Sequence, residues 1–130
     1  MARPLFRLTV TDQFSASHQL RNLRGACEAL HGHNFGVEVE VEGDVLDGRA
    51  DILIDFHELK RLLREVLDQL EHRHLNDLAF FAERNPSSEN LALFVYTELH
   101  RRLPGNVRLK NASVSETPDC KATYSERHKN

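Results

Sequence analysis

Hydrophobic and polar positions alternate at the start of the chain. From Phe6 to His18 the even-numbered residues read Phe6, Leu8, Val10, Asp12, Phe14, Ala16 and His18, which predicts a strand with one buried face. His18 ends on that face. A second run sets Phe35, Val37, Val39 and Val41 against Glu38, Glu40 and Glu42, and His31 and His33 share the parity of the apolar side. Asp47-Gly48 ends the run with turn chemistry, ahead of the short apolar stretch Ile52-Leu53-Ile54. The period then becomes helical. Leu59, Leu62, Leu63, Val66, Leu67 and Leu70 recur at steps of three and four, and Asp55 with Glu58 three residues later supplies a capping-box start. Glu71 to Asp77 breaks the pattern and reads as a loop. Asn85-Pro86-Ser87-Ser88 opens a second helix whose stripe is Leu91, Phe94, Val95, Leu99 and Leu103, with Pro104-Gly105-Asn106 as its stop. Two more extended segments follow, Val107 to Glu116 and Ala122 to Ser125.

The order ββααββ predicts a single α+β domain over residues 1–130, with an antiparallel four-stranded sheet and both helices on one face. The other face and the edges, with polar side chains such as Glu38, Glu40, Arg108 and Lys110, are left to pair with other subunits. Composition narrows the class further. Apolar residues make up 40% and charged residues 28%, an ordinary soluble balance, and no apolar run approaches the roughly 18 residues of a membrane span. Arg3, Pro4 and Arg7 stand where a signal peptide needs an apolar core, so the expected location is the cytoplasm, without membrane partners. The net charge of −3, with both signs mixed, gives no broad basic surface for nucleic acid. Two cysteines, Cys27 and Cys120, are too few for a disulfide framework and are read as thiols.

The chemistry centres on Cys27-Glu28-Ala29-Leu30-His31-Gly32-His33. Histidines two apart on a strand project to the same side, and antiparallel pairing of the two strands brings His18 to meet them. Three neutral imidazoles suit zinc with one coordination position left for water or substrate. Cys27 has three readings: a fourth ligand closing a structural site, a thiolate base or nucleophile beside the metal, or a small buried hydrophobe. His72, after Glu71 and beyond a helix end, is read as a general acid or base or as a surface histidine. His57, His100 and His128 are read as surface or helix-face residues. Glu116 has the parity of Ala112 and Val114, so its carboxylate points to an apolar side and needs donors there. Two parallel N–H groups of a flat heterocycle would satisfy it, as would an interface salt bridge.

Phe14-Ser15-Ala16-Ser17-His18, Cys27-x-x-x-His31-Gly32-His33-Asn34, Leu70-Glu71-His72-x-x-Leu75-Asn76, Asn85-Pro86-Ser87-Ser88-Glu89-Asn90 and Ser115-Glu116-Thr117 together resemble the 6-pyruvoyl-tetrahydropterin synthase family, over nearly the whole chain. The short cysteine-to-histidine spacing resembles the bacterial 6-carboxy-tetrahydropterin synthase branch, which supplies a precursor of queuosine. The resemblance implies a tunnelling fold, in which sheets from several subunits close into a barrel, as a hexamer of two stacked trimers with active sites at subunit interfaces. It implies zinc on His18, His31 and His33, Cys27 and His72 as the proton-transferring pair, and Glu116 as the anchor of the pterin ring. Glu71 stands where the family usually has aspartate, one methylene shorter. The reaction implied is conversion of 7,8-dihydroneopterin triphosphate to 6-carboxy-5,6,7,8-tetrahydropterin, with loss of triphosphate and acetaldehyde. Close alternatives are the pyruvoyl (biopterin-type) reaction and a pterin aldolase acting on unphosphorylated dihydroneopterin. The alternative of another class is a non-catalytic zinc protein in which one cysteine and three histidines close a structural site.

Overall fold

The computed structural model describes residues 2–128. Strands β1 (Phe6–His18) and β2 (His31–Gly43) pair antiparallel over their full lengths, so that His18 lies directly opposite His31. Helix α1 (Phe56–Leu67) and helix α2 (Ser88–His100) follow, then β3 (Arg108–Thr117) and β4 (Cys120–Tyr124). The four-stranded sheet runs in the order β1-β2-β3-β4, antiparallel throughout. The α+β class and the element order agree with the sequence pattern.

Both helices cover the face that carries Val10, Phe14, Val37, Val39, Ala112 and Val114, all buried. Phe14 and Phe35 stack across the first strand pair with centroids 4.9 Å apart, an arrangement worth about 0.5–1.5 kcal/mol beyond area burial. Helix α1 begins at Asp55, whose carboxylate accepts the His57 amide. Glu58 does not return to the cap as a capping box requires; it pairs with Arg61 along the exposed face of the helix. Ser87 caps α2 by accepting the Asn90 amide. That helix ends at His100, short of the Pro104-Gly105 stop, so Leu103 packs against the core from a turn and not from the helical stripe.

The polar face satisfies its charges within the chain. Lys110 reaches Glu40 at 3.1 Å and Lys121 reaches Glu38 at 3.6 Å. Glu42 is only 2% exposed, because Arg7 and Arg108 flank it from the neighbouring strands and both bind its carboxylate. Those cross-strand pairs account for much of the polarity that would otherwise call for a partner. Among the described residues, no helix is long and apolar enough to cross a membrane.

The edge of β1 is not uniformly open, as the loop reading of Glu71 to Asp77 would have left it. Residues 72–74 lie beside it: the His72 amide donates to Ser15 O at 2.6 Å, the Ser17 amide donates to Arg73 O at 3.0 Å, and Ser17 forms a parallel bridge with His74. His72 takes a left-handed backbone, φ 57°, which turns the chain from the end of α1 onto this edge. Short 3-10 turns at Leu75–Asp77 and Ala79–Phe81 carry it on to α2.

Candidate metal and pterin site

Four odd-numbered residues leaving β1 are each held from the edge side. Ser15 N–H donates to Glu71 Oε2 at 2.6 Å. Ser17 takes the Arg73 carbonyl as above, and its hydroxyl meets His74 Nδ1 at 3.0 Å. Asn76 accepts from the Gln19 amide and donates to the Gln19 carbonyl, and Asn85 does the same for Arg21, with all four distances between 2.8 and 3.0 Å. Two asparagine side chains therefore continue a strand ladder where no strand exists. This zipper fixes the end of β1, and His18 with it. The sequence motifs around Leu75-Asn76 and Asn85-Pro86 contain these residues, yet hydrophobic periodicity carries no trace of side chains that imitate backbone.

The three histidines converge as the strand register requires. Their ligand atoms lie within 4.8 Å of one another, with His18 fully buried and His31 and His33 half-buried. His18 Nδ1 lies 2.8 Å from Pro86 O, and His31 Nδ1 lies 2.8 Å from Ala29 O. A carbonyl only accepts, so each Nδ1 carries a proton and each ring turns its Nε2 inward, bare in the form that binds a metal. Those two Nε2 atoms are 3.1 Å apart. Two lone pairs so placed repel unless a cation lies between them. His33 Nε2 is buried and has no hydrogen-bond partner. The donor set thus fits a divalent metal such as zinc: three imidazole nitrogens, two with their tautomer fixed from behind and the third buried without a partner. Burial pushes the His18 pKa below its usual 6.5, a shift opposed by the Pro86 hydrogen bond and the Glu116 charge. The ring is therefore neutral and available to a metal near pH 7.

Glu116 completes this cluster. Its parity directs it to the histidine side, and the irregular register between Ser115 and Thr117 leaves it without a partner on β4. Its carboxylate oxygens lie 3.7 Å from His18 Nε2 and 3.6 Å from His33 Nε2. The other site residues lie elsewhere in the protomer. Cys27 is exposed and stays outside the histidine group, so this conformation does not form the closed site of one cysteine and three histidines. Cys120 is likewise exposed and free. Glu71 is occupied as a clamp: besides Ser15 it binds Arg64 Nη2 at 3.3 Å, and its nearest approach to His72 Nε2 is 3.9 Å. His72 has 81% of its side chain exposed and lines a groove together with Ser15, Ser17 and Asn34. Those three alternate with Ala16, His18 and His33 along their strands, and His33 of the imidazole cluster also borders the groove. Of the remaining histidines, His57, His100 and His128 are exposed, as expected.

Residues 7–127 match the family described as 6-pyruvoyl tetrahydropterin synthase. The chain belongs to that family. A 6-pyruvoyl tetrahydropterin synthase from Caenorhabditis elegans superposes with a TM-score of 0.81 at 26% identity, covering 98% of this chain and 99% of that one. Among curated relatives, a dihydroneopterin monophosphate aldolase of Pyrococcus furiosus is 36% identical over 110 residues, which is 85% of this chain and 89% of that protein. A putative 6-carboxy-5,6,7,8-tetrahydropterin synthase of Archaeoglobus fulgidus is 33% identical over 110 residues, 85% and 87% of the two chains. Membership in the 6-pyruvoyl tetrahydropterin synthase family gives the four-stranded sheet and its helices the tunnelling-fold assignment, and gives the histidine cluster a setting in pterin chemistry.

Proposed function

We propose that this protein is a zinc-dependent lyase of queuosine biosynthesis, converting 7,8-dihydroneopterin triphosphate to 6-carboxy-5,6,7,8-tetrahydropterin with release of acetaldehyde and triphosphate. The observation that carries the reading is the convergence of three imidazole nitrogens beside the Glu116 carboxylate. His18, His31 and His33 would hold the zinc, which when bound acidifies a coordinated hydroxyl and stabilises developing negative charge on oxygen. Glu116 would accept the two parallel N–H donors of the pterin and so set the side chain against the metal. Cys27, in the exposed loop before the ligand pair, would take the proton from side-chain carbon. His72 would return it, and Glu71 would hold His72 in place through the β1 edge.

His72 stands outside its own protomer's histidine group, which supports a site completed by a neighbouring protomer in a dimer-of-trimers hexamer. The short Cys-x-x-x-His-Gly-His spacing and the Archaeoglobus relative support the carboxy product. A second reading has one specific support, the Pyrococcus relative: an aldolase that cleaves the same side chain from a dihydroneopterin phosphate. The pyruvoyl reaction would stop at loss of triphosphate without carbon-carbon cleavage. Incubation with 7,8-dihydroneopterin triphosphate and mass analysis of the products separates these outcomes. Acetaldehyde with a 6-carboxypterin supports the proposal, a hydroxymethylpterin supports the aldolase, triphosphate loss without acetaldehyde supports the pyruvoyl reaction, and unchanged substrate overturns the proposal.

A further inference from the structure

The groove on the polar face beside His72 is built for an anion. It measures about 470 Å³; Ser15, Ser17, Asn34, His72, Arg73 and His74 supply hydroxyl, amide, imidazole and guanidinium groups, and His33 of the histidine cluster borders it too. No carboxylate lines it. The two grooves of nearly equal volume differ in this respect: one carries Glu42 and Asp44, the other Asp51 and Asp55. The carboxylate nearest this groove, Glu71, is already engaged by Ser15 N–H and Arg64. Arg73 is fixed through its backbone carbonyl to Ser17, while its exposed guanidinium has no acceptor among the described residues. His74 is oriented by the Ser17 hydroxyl through Nδ1, which leaves Nε2 for a ligand. The Ser15 hydroxyl is spent on Asn34 Oδ1, which leaves the Asn34 NH2 free; that amide, with the Arg73 guanidinium between two imidazoles, forms a donor set that recognises phosphate oxygens.

We infer that this groove binds the phosphate chain of the substrate, with Arg73 as its principal contact. The inference rests on the pterin reading for the identity of the ligand, and it supplies the phosphate subsite that reading lacks. His72 stands at the groove rim, so a substrate whose side-chain carbon meets His72 carries its phosphoester, a few bonds further on, into the groove. Pterin and metal would then be held by one protomer and phosphate by the surface that presents His72.

The test is calorimetric titration of the zinc-loaded, assembled protein with inorganic triphosphate, comparing wild type with Arg73→Ala, Arg73→Gln and the remote control Arg49→Ala, at matched zinc content. Arg73→Ala and Arg73→Gln should weaken binding by about tenfold or more, and Arg49→Ala should leave it unchanged. In turnover, Arg73→Ala should raise KM for the phosphorylated substrate by a similar factor with kcat nearly unchanged. Equal affinity in wild type and both Arg73 variants would overturn the inference, placing the anion on the zinc or elsewhere. If triphosphate binding depends on Arg73 but dihydroneopterin triphosphate is not turned over, the groove stands and the reaction assignment falls. If turnover occurs but binding is independent of Arg73, the groove falls and the reaction assignment stands.

Discussion

Replacing Glu71 with alanine should loosen the β1 edge on which His72 is mounted. The carboxylate accepts Ser15 N–H at 2.6 Å, a charge-assisted bond of the kind worth about 1.5–3 kcal/mol. Its second oxygen meets Arg64 at 3.3 Å, but the Arg64 side chain is a third exposed, so solvent screening limits that pair to about 0–1 kcal/mol. Glu71→Ala should therefore cost about 2–3 kcal/mol for opening this edge. Glu71→Gln, which keeps the length and an accepting oxygen, should cost roughly half as much. Glu71→Asp is one methylene too short to span Ser15 and Arg64 together and should fall between the two. Amide hydrogen exchange reads the opening directly: the Ser15 and Ser17 amides should exchange about 30- to 150-fold faster in Glu71→Ala. Urea unfolding at matched protein concentration checks whether the loss is local or global. Unchanged exchange at Ser15 and Ser17, with stability within about 0.5 kcal/mol of wild type, would refute the clamp.

Cys27→Ala should retain its zinc and lose about 100- to 10,000-fold in turnover, measured by metal analysis and product formation; loss of zinc would make Cys27 a ligand. In the metal-free protein His18 has a depressed pKa, so the folded state binds fewer protons than the unfolded one below the usual value of 6.5. Stability should be level above that pH and fall as pH drops through 6.5 toward the lower folded value, as followed by urea midpoints; a midpoint independent of pH there would contradict the buried neutral ring. Gly43→Ala would set a methyl 2.5 Å from Leu53 Cδ1 and 2.8 Å from Asn106 O, so it should destabilise by about 1–3 kcal/mol in urea unfolding, and a silent substitution would contradict the close packing there.

Much of the site was legible because strand alternation is strict. Parity alone put His18, His31, His33 and Glu116 on one face, and the antiparallel register brought them together. What the sequence concealed was the support. Glu71, Asn76 and Asn85 act through side-chain groups that replace backbone partners along residues 15–21, and such contacts leave no periodic signal. Residues 72–74 looked like a loop because a parallel pairing this short shows no alternation. Glu42 alternates with the apolar positions just as Glu38 and Glu40 do, and only the register Arg7–Glu42–Arg108 shows it enclosed between two guanidinium groups. The early end of α2 was hidden because Leu103 kept the helical spacing beyond the last helical turn.

At the centre of the proposed chemistry stand three imidazoles that converge on one point beside Glu116. Metal analysis of the purified protein, with turnover of 7,8-dihydroneopterin triphosphate followed as zinc is removed by a chelator and titrated back, tests their role most directly. One zinc per chain, activity that falls and returns in proportion to bound zinc, and loss of both in His31→Ala are the predicted results. Full turnover in zinc-free protein, or a full complement of zinc in His31→Ala, would contradict it.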